Sequence, residues 1–261
     1  MIDPSQFSLR FLRVWERNLV VYKKIWKVNF LTPLLEPLFY ILAFGLGFSG
    51  LIGNVKYGGV DLSYTEFIAP ALIATAVMWN AFFETTYASF VRMYYQKTFD
   101  GMLATPLSLE EIIIAEITWS ATKSVGAATI MLTVLGLMGF VQFPVGLLLI
   151  PLAFFGGLAF GAIGMFFTGI IPTIDMFNLP IFLFITPMFL FSGTFFPVSN
   201  LPVWAQPAAL AFPLYHLVEL ARLFSIGTNE ISPIISIVYL TAFFLFFTNL
   251  ALGAMRKRLI Q

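Results

Sequence analysis

Long apolar stretches separated by short polar ones run along most of the chain. Sustained apolar runs occupy 29–48, 67–90, 112–138, 146–170, 176–195 and 233–254. A helix needs about 20 apolar residues to cross a hydrocarbon core of about 30 Å, and these runs lack the alternation of a membrane β-barrel. The pattern therefore predicts an all-α polytopic membrane protein with six transmembrane helices.

Composition agrees with this pattern. Of the 261 residues, 59% are hydrophobic and only 10% are charged, whereas a soluble domain has roughly 45–50% and 25%. A soluble fold is thereby excluded. The chain has no cysteine, which excludes disulfides and thiolate metal ligands. No short apolar segment with a cleavage site precedes the first run, so we expect the first span to be retained.

The basic residues predict the orientation of the spans. Eleven of the fourteen lysines and arginines lie before the first run, between the second and third runs, or after the sixth, which would place them on one side. Lys56 and Arg222 would lie on the other side, and Lys123 falls inside a run. Because cytoplasmic loops carry the excess of Lys and Arg, both termini are expected in the cytoplasm.

The first 28 residues predict a separate element. On a helical period the basic and apolar side chains fall on opposite arcs. The basic arc contains Arg10, Arg13, Arg17, Lys24 and Lys27, and the apolar arc contains Phe11, Trp15, Leu19, Tyr22 and Trp26. Residues 1–28 are therefore predicted to form an amphipathic helix in the inner interface, and 29–261 the transmembrane domain. The helix is either a simple basic anchor or an element with a more specific role.

Charged residues within the predicted spans are few and costly, roughly 2.5–3.5 kcal/mol each on insertion scales. Glu36, Glu84, Glu116 and Lys123 all fall in the cytoplasmic halves of the first three spans. Glu116 and Lys123 lie seven residues apart, about 10 Å along a helix, so Lys123 is expected to pair across helices with Glu84 or Glu36. This intramembrane polar network either stabilises the bundle or gates a path from the cytoplasm.

The fourth span has no charge and is rich in small residues. Ala153, Gly157 and Gly161 recur every four positions, which predicts a face that packs closely against another helix. The pattern leaves open whether that helix belongs to the same chain.

Residues for catalysis are missing. There is no Gly-Lys dipeptide for a phosphate-binding loop and no HExxH, and the one histidine, His216, is expected to pack rather than to react. The chain is thus predicted not to be an enzyme. Energy for uphill transport would come from an ion gradient or from another subunit.

The longest predicted cytoplasmic loop, 91–111, has its own pattern. A short helix is predicted from Phe99 to Ala104 and is broken at Pro106. Ser108 is predicted to cap a new helix with Glu110 and Glu111 in its first turn. Such a compact element is a natural docking surface.

The outer segment 196–232 is apolar but interrupted by prolines. Leu201–Phe212 and Leu214–Phe224 suit two helices too short to span, so a reentrant helical hairpin in the outer leaflet is predicted between spans five and six. Pro197, Trp204, Pro213 and Tyr215 are candidates for an outer lid over the bundle. The alternative is that Trp204 and Tyr215 only anchor the segment at the interface.

Several stretches carry a family resemblance. FETTYASFVRM, TFDGMLATPLSLEEIIIAEITWSATKS and FSGTFFPVSNLPVWAQPAALAFPLYHLVELAR resemble the membrane subunit of type-2 ABC exporters, most closely the NodJ-type permeases that export lipooligosaccharide nodulation factors. WERNLVVYKKIW and EPLFYILAFGLGF extend the resemblance nearly from end to end.

The resemblance implies partners and a place in the cell. A separate ATPase subunit would bind ATP and Mg, so this chain itself would hold no cofactor, and two permeases would pair as a homodimer with two ATPases. The implied location is a bacterial inner membrane. The ATPase-docking residues would be Thr98, Phe99, Asp100, Gly101, Met102, Leu103, Thr105 and Pro106. Candidates for the translocation path, on spans one and five, are Phe39, Tyr40, Phe182, Phe189 and Phe191.

The resemblance favours an ATP-driven exporter of an amphipathic lipid-linked or acylated glycan, and few charges on the outer halves of the spans suit a lipid-tailed cargo. Export of hydrophobic drugs or antibiotics by the same fold is the first alternative. An ion-coupled secondary transporter is a second, although no paired broken helices are seen. A lipid-modifying enzyme is a third, but the catalytic set that it needs is missing.

Overall fold

The computed structural model of the chain describes residues 9–40, 43 and 53–260, apart from the side chains of 28–30, 32–34 and 36–38. In chain order its principal elements are α1 (Phe11–Tyr40), β1 (Asn54–Tyr57), β2 (Val60–Ser63), α2 (Tyr64–Tyr95), α3 (Thr98–Leu103), α4 (Leu109–Leu137), α5 (Val145–Ile170), α6 (Ile174–Phe191), α7 (Gln206–Leu210), α8 (Pro213–Ile226) and α9 (Pro233–Leu259).

The described part of the chain is a multi-span helical membrane protein, as predicted. Five described helices are long and apolar enough to cross a membrane: α2, α4, α5, α6 and α9. They correspond to the second to sixth predicted spans. The predicted first span, 29–48, lies partly in α1 and partly outside the described residues, so a total of six spans remains a prediction.

Helix α1 joins the predicted amphipathic helix to the start of the predicted first span. The two parts meet at Ile25, whose backbone leaves the helical region at φ −118° and ψ 15°. Before this kink, α1 packs on α4, and Val14 and Asn18 are buried there. Trp15 of the predicted apolar arc meets Trp119 of α4 edge to face, with ring centroids 6.1 Å apart. The apolar arc therefore faces protein before the kink, whereas Trp26 after it is half exposed.

A β-hairpin that the apolar pattern did not predict precedes α2. Strands β1 and β2 pair antiparallel, and the two-residue turn between them is Gly58–Gly59. Both glycines have positive φ, +55° and +80°, which is the requirement of the turn that best matches strand twist. Ser63 then caps α2 through a reciprocal bond with Glu66. The hairpin fixes the N-terminal end of α2.

The centre of the bundle is formed by α2, α4 and α5, with α9 packed on the far side of α5. Small residues of α5 allow the close approach. A Cβ on Gly157 would lie 2.6 Å from Cα of Ala121 in α4, and a Cβ on Gly161 would lie 2.3 Å from Oγ of Ser120. The packing partner of the predicted small-residue face is thus α4 of the same chain.

The segment after α6 contains the short helices α7 and α8. Helix α6 ends at Phe191, and α7 covers only five residues, fewer than the predicted Leu201–Phe212. Helix α8 has 14 residues, about 21 Å, too short to cross the hydrocarbon core. It is buried against α2 and α9. The reentrant arrangement itself stays a prediction.

The loop between α2 and α4 has the predicted local structure. Helix α3 covers Thr98–Leu103, and Lys97 before it has a positive φ of 53°, which turns the chain out of α2. Ser108 caps α4, and its side chain accepts a hydrogen bond from the amide of Glu111. Arg10 donates to the carbonyl of Pro106 over 2.9 Å, so the start of the described chain is bound to this loop.

Candidate functional site

A cavity of about 900 Å³ lies between α1, α2, α4 and α6. Its wall combines aromatic side chains with charged and polar ones, and some of the rings contact the charged groups directly, as Trp119 contacts Glu84. The aromatic part is formed by Tyr22, Trp79, Phe83, Tyr87, Trp119 and Phe189. The charged and polar part is formed by Arg17, Asn18, Asn80, Glu84, Arg92 and Lys123. The cavity can therefore hold a molecule with an apolar end and a polar end.

Glu84 is the central carboxylate of the charged wall. Its Oε1 accepts hydrogen bonds from Nη1 of Arg92 over 2.8 Å and from the indole of Trp119 over 3.1 Å. Its Oε2 lies 2.7 Å from Nζ of Lys123. Of the two partners expected for Lys123, Glu84 is thus the one that it contacts, whereas the side chain of Glu36 lies outside the described residues.

Glu116 lies behind the wall and is fully buried. Its Oε1 accepts a hydrogen bond from Asn18 over 2.9 Å, and its Oε2 accepts from Ser89 over 2.5 Å and from Nε of Arg92 over 3.0 Å. Every oxygen of the two carboxylates therefore has a partner, which is what a buried charge requires. The network connects α1, α2 and α4.

Arg92 joins the two carboxylates, and the sequence reasoning missed this role. The apolar run that predicts the second span ends at residue 90, which places Arg92 among the charges of the following loop. In a regular helix two residues eight positions apart point about 80° from each other. Helix α2 contains π turns at Glu84–Ala88 and Val91–Tyr95, and one extra residue in a turn returns Arg92 to the face of Glu84.

Arg17 brings a further cation from α1 to the cavity. Its Nη1 donates to the side-chain oxygen of Asn18 over 3.0 Å. Burial lowers the pKa of Arg17, an effect that Glu116 opposes and Arg92 reinforces. Arg17 is therefore a partly buried cation in the cavity wall.

The translocation-path candidates separate into two groups. Tyr40 and Phe189 line the cavity, and the ring of Phe189 lies 6.1 Å from that of Trp79. Phe39, Phe182 and Phe191 are exposed on the surface of the described chain, away from the cavity lining. The structure therefore brings Tyr40 and Phe189 together with Glu84 and Lys123 around one space.

The ATPase-docking candidates form a small element with a buried base. Phe99 and Met102 are buried in the core beneath α3. The other candidates are partly or fully accessible: Thr98, Asp100, Gly101, Leu103, Thr105 and Pro106. Tyr94 and Tyr95, exposed at the end of α2, extend the same surface. The two buried side chains hold α3 against the core, and the accessible residues on its other side remain available for a partner.

The outer-lid candidates differ in exposure. Trp204 is 82% exposed, whereas Tyr215 is only 3% exposed. Pro197 and Pro213 are buried. Of the two aromatic residues considered as interface anchors, only Trp204 presents its ring outside the described chain.

A second polar cluster, around Arg222 at the hairpin end of the bundle, was not predicted. The buried guanidinium lies 3.8 Å from the ring centre of Phe67 and donates to the carbonyl of Gly193 over 2.6 Å. Glu219, one turn earlier in α8, accepts hydrogen bonds from the hydroxyl of Tyr57 and from the amide of Glu230. Burial raises the pKa of Tyr57. The cluster fastens the hairpin, α2 and the chain after α6 to α8.

His216 packs between α8 and α9, which agrees with the packing role expected for it. Its Nε2 lies 3.0 Å from the carbonyl of Leu210, and its Nδ1 lies 3.2 Å from the hydroxyl of Ser236. A carbonyl only accepts, so Nε2 carries the proton and Nδ1 accepts from Ser236. The ring stacks on Tyr239 at 4.1 Å. These contacts satisfy the imidazole without a reacting group.

Comparison with known proteins agrees with this architecture. Residues 10–225 match the ABC-2 type transporter family. The chain is 36% identical over 254 residues to nodulation protein J of Rhizobium leguminosarum bv. trifolii, covering 97% of this chain and 95% of that protein. It is 32% identical over 250 residues to nodulation protein J of Bradyrhizobium diazoefficiens, covering 95% and 93%.

A more distant relative is the inner membrane transport permease YadH of Escherichia coli. The identity is 24% over 243 residues, which cover 89% of this chain and 90% of that protein. The family match covers most of the chain, and the nearer relatives cover almost all of it. The chain therefore belongs to the ABC-2 type transporter family.

Proposed function

We propose that this chain is the membrane permease of an ATP-driven exporter that moves an amphipathic lipid-linked or acylated glycan, such as a lipooligosaccharide nodulation factor, across a bacterial inner membrane. The observation that carries the proposal is the cavity lined by both aromatic and charged side chains. Nodulation protein J relatives at 36% identity support the cargo class.

The aromatic side chains of the lining suit the apolar part of such a cargo, and the charged ones suit its glycan. Trp79, Phe83 and Phe189 offer the apolar surface that an acyl chain requires. Trp119 and Tyr87 add ring faces beside polar side chains, and Glu84 and Lys123 supply acceptors and donors for hydroxyl groups. A drug without polar groups would leave this charged wall desolvated and unmatched, so the glycan cargo is favoured over hydrophobic drug export.

The polar network then lies where the cargo would be admitted. The network is well satisfied within the described residues, which suits the stabilising interpretation of the sequence analysis. Glu84 and Lys123 also line the cavity, which suits the gating interpretation. We assign both roles to it: Glu116 anchors the network from behind, and Lys123 presents a charge to the cavity.

The partner in this proposal is an ABC ATPase that binds ATP and Mg, with two permeases and two ATPases in the complex and both permease termini in the cytoplasm. The docking surface is the exposed side of α3 with Tyr94 and Tyr95. Reversing the charge of Asp100 with Asp100→Arg should sharply reduce co-purification of the ATPase. Asp61→Arg is the matched control, because Asp61 is an exposed aspartate on the hairpin, on the expected outer side.

The transport assay uses inverted membrane vesicles that contain the permease and its ATPase, with a radiolabelled lipooligosaccharide outside. Uptake should require ATP and should be abolished when the phosphate-loop lysine of the ATPase is replaced. Uptake driven by a proton gradient without the ATPase would show that the chain is a secondary transporter. ATP-dependent uptake of a hydrophobic dye but not of the glycolipid would favour drug export.

A further inference from the structure

Among the side chains that the structure describes, those of the charged wall carry an excess of positive charge. Three cations, Arg17, Arg92 and Lys123, line it. Two carboxylates, Glu84 and the buried Glu116, oppose them. One positive charge is therefore left over in a partly desolvated space, where charges interact more strongly than in water.

The ion pairs show which cation is in excess. Arg92 pairs with both Glu84 and Glu116, and Lys123 pairs with Glu84. Among the side chains that the structure describes, no carboxylate pairs with Arg17, whose hydrogen bond goes to the neutral amide of Asn18. Arg17 thus has guanidinium donors available on the cavity side of α1.

We propose that Arg17, with Lys123 lining the same cavity, binds an acidic group carried by the cargo, such as a carboxylate, sulfate or phosphate on its glycan. The acidic group would complete the charge balance of the wall, and a planar guanidinium suits the paired oxygens of such groups. The apolar part of the same molecule would extend along Trp79, Phe83 and Phe189. The preferred cargo is therefore an acidic amphiphile.

A matched pair of ligands tests this site: octyl β-glucuronide and octyl β-glucoside, which differ by one carboxylate. Binding is measured below the micellar concentration, on the purified permease in phosphatidylcholine nanodiscs, by the shift of tryptophan emission. Trp79 and Trp119 line the cavity, so the shift should shrink in Trp79→Phe. Empty nanodiscs correct for partition into lipid.

The glucuronide should bind at least about tenfold more tightly than the glucoside, because hydrogen bonds to charged groups contribute about 1.5–3 kcal/mol. Arg17→Gln should abolish most of this preference, and Arg17→Lys should retain part of it. Arg13→Gln is the control, since Arg13 lies on the same helix, is exposed and already pairs with Glu16. It should leave the preference unchanged.

Equal binding of the two ligands to the unaltered protein would overturn the proposal without any variant. So would equal losses in Arg17→Gln and Arg13→Gln, which would indicate general surface charge. A second set of nanodiscs contains phosphatidylglycerol. If that lipid removes the preference for the glucuronide, the site binds a lipid headgroup and the assignment to cargo is wrong; retained preference supports it.

We take the acidic group to belong to an exported cargo, which rests on the proposed function. The binding measurement needs neither ATP nor the ATPase. A preference for the glucuronide together with failed ATP-dependent transport would therefore refute the proposed function and keep the anion site. ATP-dependent transport of the glycolipid without a preference for the glucuronide would support the proposed function and refute the anion site.

Discussion

The ammonium group of Lys123 on α4 lies 2.7 Å from a carboxylate oxygen of Glu84 on α2, and both side chains line the cavity. We expect Lys123→Met to fold, because Glu84 keeps Arg92 and Trp119 as partners. Glycolipid uptake into vesicles should fall by about tenfold, roughly the effect of 1.4 kcal/mol, at an unchanged amount of protein in the membrane.

The control for that variant is Lys24→Met, since Lys24 is an exposed lysine on α1 that does not line the cavity. Its transport should match the unaltered protein. Normal transport by Lys123→Met would limit the network to a stabilising role.

Glu116 should matter more for stability than for transport. It is fully buried, and Glu116→Gln leaves the mostly buried guanidinium of Arg92 with one carboxylate fewer. Removing one partner of a buried pair costs about 3 kcal/mol or more. Thermal unfolding in detergent should therefore begin at a clearly lower temperature than for the unaltered protein.

The matched variant is Glu16→Gln. Glu16 pairs with Arg13 at the surface, and such pairs contribute about 0–1 kcal/mol. Similar melting temperatures for both variants would show that the buried pair of Glu116 and Arg92 stabilises the protein no more than a surface pair does.

Gly157 permits the contact between α5 and α4. A methyl group there would meet the backbone of Ala121 at 2.6 Å, so Gly157→Ala should destabilise the protein by about 1–3 kcal/mol. Gly126→Ala is the opposite case, because nothing lies within 4 Å of the added carbon. It should stabilise α4 slightly, by about 0.5–1 kcal/mol. The free energy of unfolding of the two variants is compared by denaturation in a detergent series. Equal changes would contradict the close packing of Gly157 against α4.

His216 should make stability depend on pH. Burial lowers its pKa from the ordinary value of 6.5, so the unfolded chain takes up a proton at a higher pH than the folded chain does. The free energy of unfolding should therefore decrease as the pH falls below about 6.5. His216→Gln should weaken this dependence in melting curves recorded between pH 7.5 and about 5. An unchanged pH slope would show that another group causes it.

Much of the fold could be predicted from the sequence because apolar runs and helix caps are local signals. The runs locate α4, α5 and α9 within a few residues, and Ser108 marks the start of α4. The hairpin is polar and only four residues long in each strand, so it has no signal in hydropathy. The consecutive glycines 58 and 59 are the one local signal of a hairpin turn in this stretch.

The candidate site could be predicted only in part, because pairing across helices depends on helix geometry that hydropathy does not encode. Glu84, Glu116 and Lys123 stood out as charges in apolar runs. Arg92 did not, since π turns in α2 extend that helix beyond its apolar run and rotate Arg92 toward Glu84. The role of Asn18 could not be predicted either, because the amphipathic pattern of α1 depends on its basic and apolar residues and says nothing about a neutral amide.

The central claim is that an acylated glycan occupies the cavity between α1, α2, α4 and α6. The most direct measurement is photo-crosslinking from a benzoylphenylalanine placed at Asn80, which lines the cavity, with Phe246 on α9 as the exposed comparison site. In vesicles with the ATPase, labelled lipooligosaccharide should crosslink strongly at position 80 before ATP is added and weakly during turnover. Crosslinking at 80 no stronger than at 246, or insensitive to ATP, would contradict the account.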